Sequence, residues 1–290
     1  MSLILCLAHK QYRITILEHN KKIFVKLERQ LTSNWSLIGE WHLPWVRRTD
    51  LCVAASGEYV LIYDGTIDIL FILDTKLNII NCLKSVLSLD LTETSPVRYR
   101  SFFLLTEGNL LVLLYEQFHK KHNMTHRCIV KGEMSCHSTL NSAESGTAVP
   151  SINLQTYIET EIYNYGRTRG AILCNNTIYA LVQEPLEPKY TVIVCSISKF
   201  NGIPDWEIIL HNVNFLQFFV YKHQLFALEF DSHNSLIYHF LPGRPHRIRY
   251  VHTEVPLQTE RRASNIYAKR GLVYTDSNRI LLRLSKFILV

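Results

Sequence analysis

The chain has 290 residues, of which 47% are hydrophobic and 19% charged, with a formal net charge of +6. That composition excludes a mostly disordered chain and suits one large domain or two ordinary ones. No window reaches the roughly 20 uninterrupted apolar residues of a membrane span, and the opening MSLILCLAHK has no basic segment before its short apolar run, so no membrane and no secretory route is expected.

Taken in order, the apolar stretches are short, rich in Val, Ile, Leu, Phe and Tyr, and separated by polar turns, with no sustained helical stripe. An all-β chain is expected. One hairpin recurs: LILCLAHKQYRITILE, LCVAASGEYVLIYD, SFFLLTEGNLLVLLYE, GAILCNNTIYALVQE, QFFVYKHQLFALEF and NIYAKRGLVYTDS. The first apolar residue after each turn is Tyr12, Tyr59, Leu110, Ile178, Leu225 and Leu272, giving steps of 47, 51, 68, 47 and 47 residues. Most hairpins are followed by two more strand-like runs. The long step falls on KGEMSCHSTLNSAESGTAVPSINLQ, whose composition predicts an inserted flexible loop at about 132–156.

A unit of about 47 residues with four short antiparallel strands is the size of one propeller blade. These hairpins, with Tyr or Leu after a Gly/Asn turn, resemble the β-propeller superfamily, and within it kelch-like or divergent WD-repeat-like blades. The resemblance spans residues 1–290 and implies a single six-bladed β-propeller of four-stranded antiparallel blades; it implies no ligand. A β-sandwich, or a pair of them, is the alternative that irregular strands also allow.

The seven cysteines, at 6, 52, 82, 128, 136, 174 and 195, are odd in number and mostly set in apolar strings. They read as reduced core thiols of a cytoplasmic or nuclear protein. His119, His122, His126, Cys128, Cys136 and His137 have the chemistry of zinc ligands but not the paired spacing of a structural site, so no metal and no cofactor is expected. Strand alternation would put Trp35 and Trp41 on one face, packing with Trp45 as apolar filler between blades.

Arginine carries the sharpest signal. Four positions just ahead of each hairpin read Arg47-Arg48-Thr49-Asp50, Arg98-Tyr99-Arg100-Ser101, Gly166-Arg167-Thr168-Arg169 and Glu260-Arg261-Arg262-Ala263, and only the fifth unit lacks arginine there. In a propeller these segments lead into the first strand of each blade, so Arg47, Arg48, Arg98, Arg100, Arg167, Arg169, Arg261 and Arg262 are expected to line one channel mouth. Guanidinium groups repel one another unless an anion or a carboxylate lies between them. The ring is therefore either a binding site for an acidic or phosphorylated partner or an internal ion-pair belt.

A second basic patch is expected from Lys10, Lys222, Lys269 and Arg270 in hairpin turns, together with Arg244, Arg247 and Arg249. Residues 241–290 hold ten Lys and Arg against three Asp and Glu. No GxSxG, HExxH, P-loop or dinucleotide fingerprint is present, and the first strands carry almost no carboxylate. The function expected is a non-catalytic interaction module, a subunit or adaptor with protein partners in a larger complex. The alternatives are a nucleic-acid-binding propeller using the basic C-terminal blades, and a propeller hydrolase or lactonase with a loop-built site.

Overall fold

The computed structural model describes residues 2–7, 10–19, 22–31, 34–43, 51–89, 95–121, 124–137, 149–158, 166–183, 189–197, 205–221, 223–230, 235–241, 244–251, 266–269, 272–275 and 280–283. Among them all the regular structure is strand, save one short helical turn at Ile197. The strands form antiparallel meanders in chain order. Sheet A holds β1 (Ser2–Leu7), β2 (Lys10–His19), β3 (Lys22–Leu31) and β4 (Asn34–Leu43). Sheet B holds β5 (Leu51–Ser56), β6 (Tyr59–Asp64), β7 (Ile69–Leu73) and β8 (Ile79–Lys84). Sheet C holds β9 (Val97–Glu107), β10 (Leu110–His119), β11 (Met124–His137) and β12 (Val149–Ile158). Sheet D holds β13 (Thr168–Cys174), β14 (Thr177–Gln183), β15 (Tyr190–Ser196) and β16 (Glu207–Val213). Sheet E holds β17 (Leu216–Tyr221), β18 (Gln224–Phe230), β19 (Ser235–Leu241) and β20 (Arg244–Val251). Sheet F holds β21 (Ile266–Lys269), β22 (Leu272–Thr275) and β23 (Ile280–Arg283).

This is a β-propeller arrangement. Five sheets have the expected four strands, and the C-terminal one has three among the described residues. The anchors Tyr12, Tyr59, Leu110, Ile178, Leu225 and Leu272 all lie at or near the start of the second strand of their sheets.

Two units divide the chain, one of residues 5–164 and 202–204, the other of residues 1–4, 165–201 and 205–290. Within the first, β9 lies beside β5 and β12 beside β8, so sheets B and C stack first strand to first strand and last to last. Between them is a core of Cys52, Leu61, Tyr63, Ile72, Phe102, Leu113, Tyr115 and Val130. Polar ties cross the same seam: the Ser56 hydroxyl donates to the Gly108 carbonyl at 2.7 Å and the Thr106 hydroxyl to the Ala55 carbonyl at 2.6 Å. Within the second unit β17 lies beside both β13 and β21. Cys174, Leu181, Val213, Leu225, Tyr238 and Phe240 form its core between sheets D and E. The D hairpin turns through Asn175 and Asn176 at φ 51° and 55°, a conformation that asparagine tolerates and the right-handed twist of the strands favours.

Two expectations change. Residues 132–137 and 149–156 are not loop but the ends of β11 and β12, paired from Cys128↔Ile158 to His137↔Val149. Alternation buries Met134 and half-buries Ile152 and Leu154 against the B/C core, which repays the ordering of an otherwise polar stretch; residues 138–148 lie outside the described residues. Trp35 and Trp41 stand on opposite faces, because an extra residue at Ile38 shifts the β3–β4 register between Leu37↔Glu28 and Gly39↔Leu27. Trp41 packs edge-on against Phe71 of sheet B at 5.0 Å, as a filler between sheets should, whereas Trp35 lies under the Arg13 guanidinium at 4.9 Å. Trp45 is outside the described residues.

Candidate functional site

The arginine segment of sheet C is strand rather than loop, since Arg98 and Arg100 already pair with β10. A bulge follows at once. Phe103 pairs with Leu114 and Arg100 with Glu116, so Ser101 and Phe102 together oppose Tyr115, and Ser101 takes φ 55°. This extra residue turns Phe102 into the B/C core and leaves Arg100 on the other face, opposite Glu116.

Glu116 is wholly buried. Arg100 approaches it from β9, Nε to Oε2 at 3.4 Å, and Arg127 from β11, Nε to Oε1 at 3.9 Å. Arg100 also donates from Nη2 to the Thr125 hydroxyl at 2.9 Å and lies over the Phe118 ring at 4.6 Å. The Arg98 side chain is exposed and makes no hydrogen bond or ion pair with another described residue.

Sheet D repeats the theme with a neutral acceptor. Exposed Arg169 donates from Nε to Gln183 Oε1 at 2.8 Å, and the Gln183 N–H donates to the Arg167 carbonyl at 2.9 Å. Sheet E, which lacks arginine here, keeps the acceptor. Buried Glu229 takes the Asn214 N–H at 2.8 Å and the Tyr238 hydroxyl at 2.5 Å, while Lys189 donates to the Asn214 side-chain carbonyl at 2.9 Å. These second-strand acceptors were missed in the sequence reading. Their signal is there, as an acid or amide four to six residues after each of five anchors: Glu18, Asp64, Glu116, Gln183 and Glu229.

Arg47, Arg48, Arg261 and Arg262 lie outside the described residues, as do Lys222 and Arg270. Of the second basic patch, Lys10 opens β2, Lys269 ends β21, and Arg244, Arg247 and Arg249 lie on β20, the outer strand of sheet E. Among the described residues no group of three or more His, Cys, Asp or Glu is placed to hold a metal ion. His119 and His126 meet ring to ring at 5.1 Å, and His122 is outside the described residues. Five cysteines are described outside any disulfide; Cys52, Cys128, Cys174 and Cys195 are buried, but Cys82, on the outer strand of sheet B, is exposed. No helix of the described residues is long and apolar enough to cross a membrane.

No protein-family model matches the chain, and neither does any curated protein sequence. Solved structures do. A mutant Trypanosoma rangeli sialidase with trans-sialidase activity is 12% identical over 90% of this chain and 42% of its own, with a TM-score of 0.49. A putative 6-phosphogluconolactonase of Bacteroides fragilis is 12% identical over 93% of this chain and 75% of its own, at 0.46. A chain of the nidogen/laminin complex is 10% identical over 94% and 84%, at 0.46. The chain spans less than half the length of the sialidase it is similar to. These are similarities, and no residue role passes through them.

They do correct one expectation. The chain was expected to be a non-catalytic interaction module, on the ground that it carries no catalytic fingerprint and almost no carboxylate on its first strands. A sialidase and a putative 6-phosphogluconolactonase stand among the structures it is similar to, so neither that role nor the absence of an enzyme is upheld.

Proposed function

We propose that this chain is a six-bladed β-propeller with a hydrolytic site built from its loops, acting on a substrate that carries an anionic group. The observation that supports it is Arg98, an exposed guanidinium with no carboxylate partner among the described residues, on a strand whose next arginine is already held by Glu116. An exposed, permanently charged fork at the edge of a rigid sheet is what binding an oxyanion requires. Buried carboxylates such as Glu116 and Glu229, fixed near the ends of second strands, are the group type that general acid–base hydrolysis draws on.

The test is turnover of a fluorogenic panel of aryl phosphates, acidic glycosides and lactones by the purified full chain. At least one class should be hydrolysed, and Arg98→Ala should raise KM about tenfold, the loss of one charge-assisted contact. Failure to turn over any of the panel overturns the reading.

A second reading, nucleic-acid binding, is favoured by Arg244, Arg247 and Arg249 lying together on the outer strand β20. Affinity for a DNA or RNA duplex that falls steeply with salt, and is lost with these three residues, would support it.

A further inference from the structure

Directly paired residues of antiparallel strands share a face, and so do residues two apart along one strand. In sheet C, Arg98 stands opposite Phe118 and Phe118 opposite Thr125, while Arg100 stands opposite Glu116 and Glu116 opposite Arg127. One face at this end of the sheet therefore presents two adjoining rows, with three guanidiniums, one carboxylate, one aromatic ring and one hydroxyl. Most of these groups are already engaged. Glu116 lies between Arg100 and Arg127, and the Thr125 hydroxyl and Phe118 ring fix Arg100 further. Arg100 is thus held in one orientation with 32% of its side chain in water, one row from the exposed Arg98. The two residues stand about 7 Å apart along one strand and on one face, within reach of one ligand.

We propose that Arg98 and Arg100 together hold a phosphate group, so that the substrate is a phosphate monoester or carries one. This rests on the proposed anionic substrate and names its class. A carboxylate has two oxygens and a single charge, which one fork satisfies. A terminal phosphate has more acceptor oxygens and close to two charges at neutral pH, matching the Arg98 fork together with the guanidinium donors of Arg100 that Glu116 and Thr125 leave over. Arg100, already oriented by Glu116 and Thr125, loses little freedom on binding, and Arg98 closes from the solvent side.

The experiment titrates inorganic phosphate, and acetate at equal ionic strength, into the full chain by calorimetry, with thermal unfolding followed in parallel. Saturable phosphate binding that raises Tm, with acetate at least tenfold weaker, is expected. Arg98→Ala should weaken phosphate at least tenfold without lowering the Tm of the ligand-free chain, and Arg98→Lys should recover only part of the loss, because an ammonium lacks the fork. Equal affinity for acetate and phosphate, phosphate affinity untouched by Arg98→Ala, or no phosphate binding each overturns the proposal. Phosphate binding without turnover of any substrate sinks the hydrolytic reading and leaves this site standing; turnover without phosphate binding does the reverse.

Discussion

The Tyr63 hydroxyl donates to Asp68 Oδ1 at 2.9 Å, and the same carboxylate accepts the backbone N–H groups of Leu87 and Leu89. One buried acid thereby pins the middle of sheet B to the chain that leaves it. Asp68 holds φ 53°, which an acid bonded to nearby backbone tolerates better than most residues.

Tyr63→Phe removes one of those bonds and keeps the ring, which sits 5.5 Å from Phe102 in the B/C core. It should cost about 1–2 kcal/mol. Asp68→Ala strands several donors at once and should cost about 2–4 kcal/mol. Urea unfolding of both variants checks the order; a Tyr63→Phe loss as large as that of Asp68→Ala would mean that the backbone contacts contribute little.

The same tyrosine makes the fold sensitive to base. Burial, then the Asp68 charge, raises the Tyr63 pKa far above its ordinary 10.0, and burial, then Cys128, raises that of Tyr115. A group whose folded pKa exceeds its unfolded one stabilises fully below the unfolded value and loses that contribution as pH rises beyond it. Urea midpoints should therefore hold up to about pH 10 and fall above it. In the double variant Tyr63→Phe, Tyr115→Phe the fall should be shallower, and an unchanged slope would assign the alkaline loss to other groups.

What the sequence made legible was the hairpin. Alternating apolar runs closed by Gly57, Gly108 or Asn175-Asn176 specify strand, turn and strand locally, so all six anchors reached second strands. What stayed hidden depends on pairing between strands. The bulge at Ser101 and the extra residue at Ile38 reverse faces within one strand, and only the second has a local sign, the isolated Gly39 beside it. Likewise Glu116 looks like one acid among many until register sets it between Arg100 and Arg127, which gives Arg100 the character of an internal ion pair while Arg98, two residues away, stays exposed.

Gly39 tests how tightly sheet A meets the β7–β8 turn. A Cβ there would lie 2.9 Å from the Lys76 carbonyl oxygen, a backbone atom already set by a turn in which Asp74 accepts the Lys76 and Asn78 N–H groups. Gly39→Ala must push the turn away and should cost about 1–3 kcal/mol. Gly57→Ala meets no atom within 4 Å but sits at φ 58°, so its cost of about 1 kcal/mol comes from backbone strain alone. Thermal unfolding of the pair separates the two causes, and equal losses would show that the Lys76 contact yields without strain.

The two arginines of β9 should respond differently to truncation. Arg100→Ala leaves the wholly buried Glu116 facing Arg127 at 3.9 Å without its nearer guanidinium, and strips the cation from the Phe118 ring. Because Arg100 is itself partly in water, the cost is set at about 1–3 kcal/mol rather than the larger penalty of breaking a fully buried pair. Arg98→Ala removes an exposed side chain and should stay within about 0.5 kcal/mol. Adding Glu116→Gln completes a double-mutant cycle with Arg100→Ala. The carboxylate charge is then gone, so truncating Arg100 should cost less than it does in the wild-type chain, by about 1 kcal/mol or more. Additivity within about 0.5 kcal/mol would show that Arg100 and Glu116 are neighbours without energetic coupling.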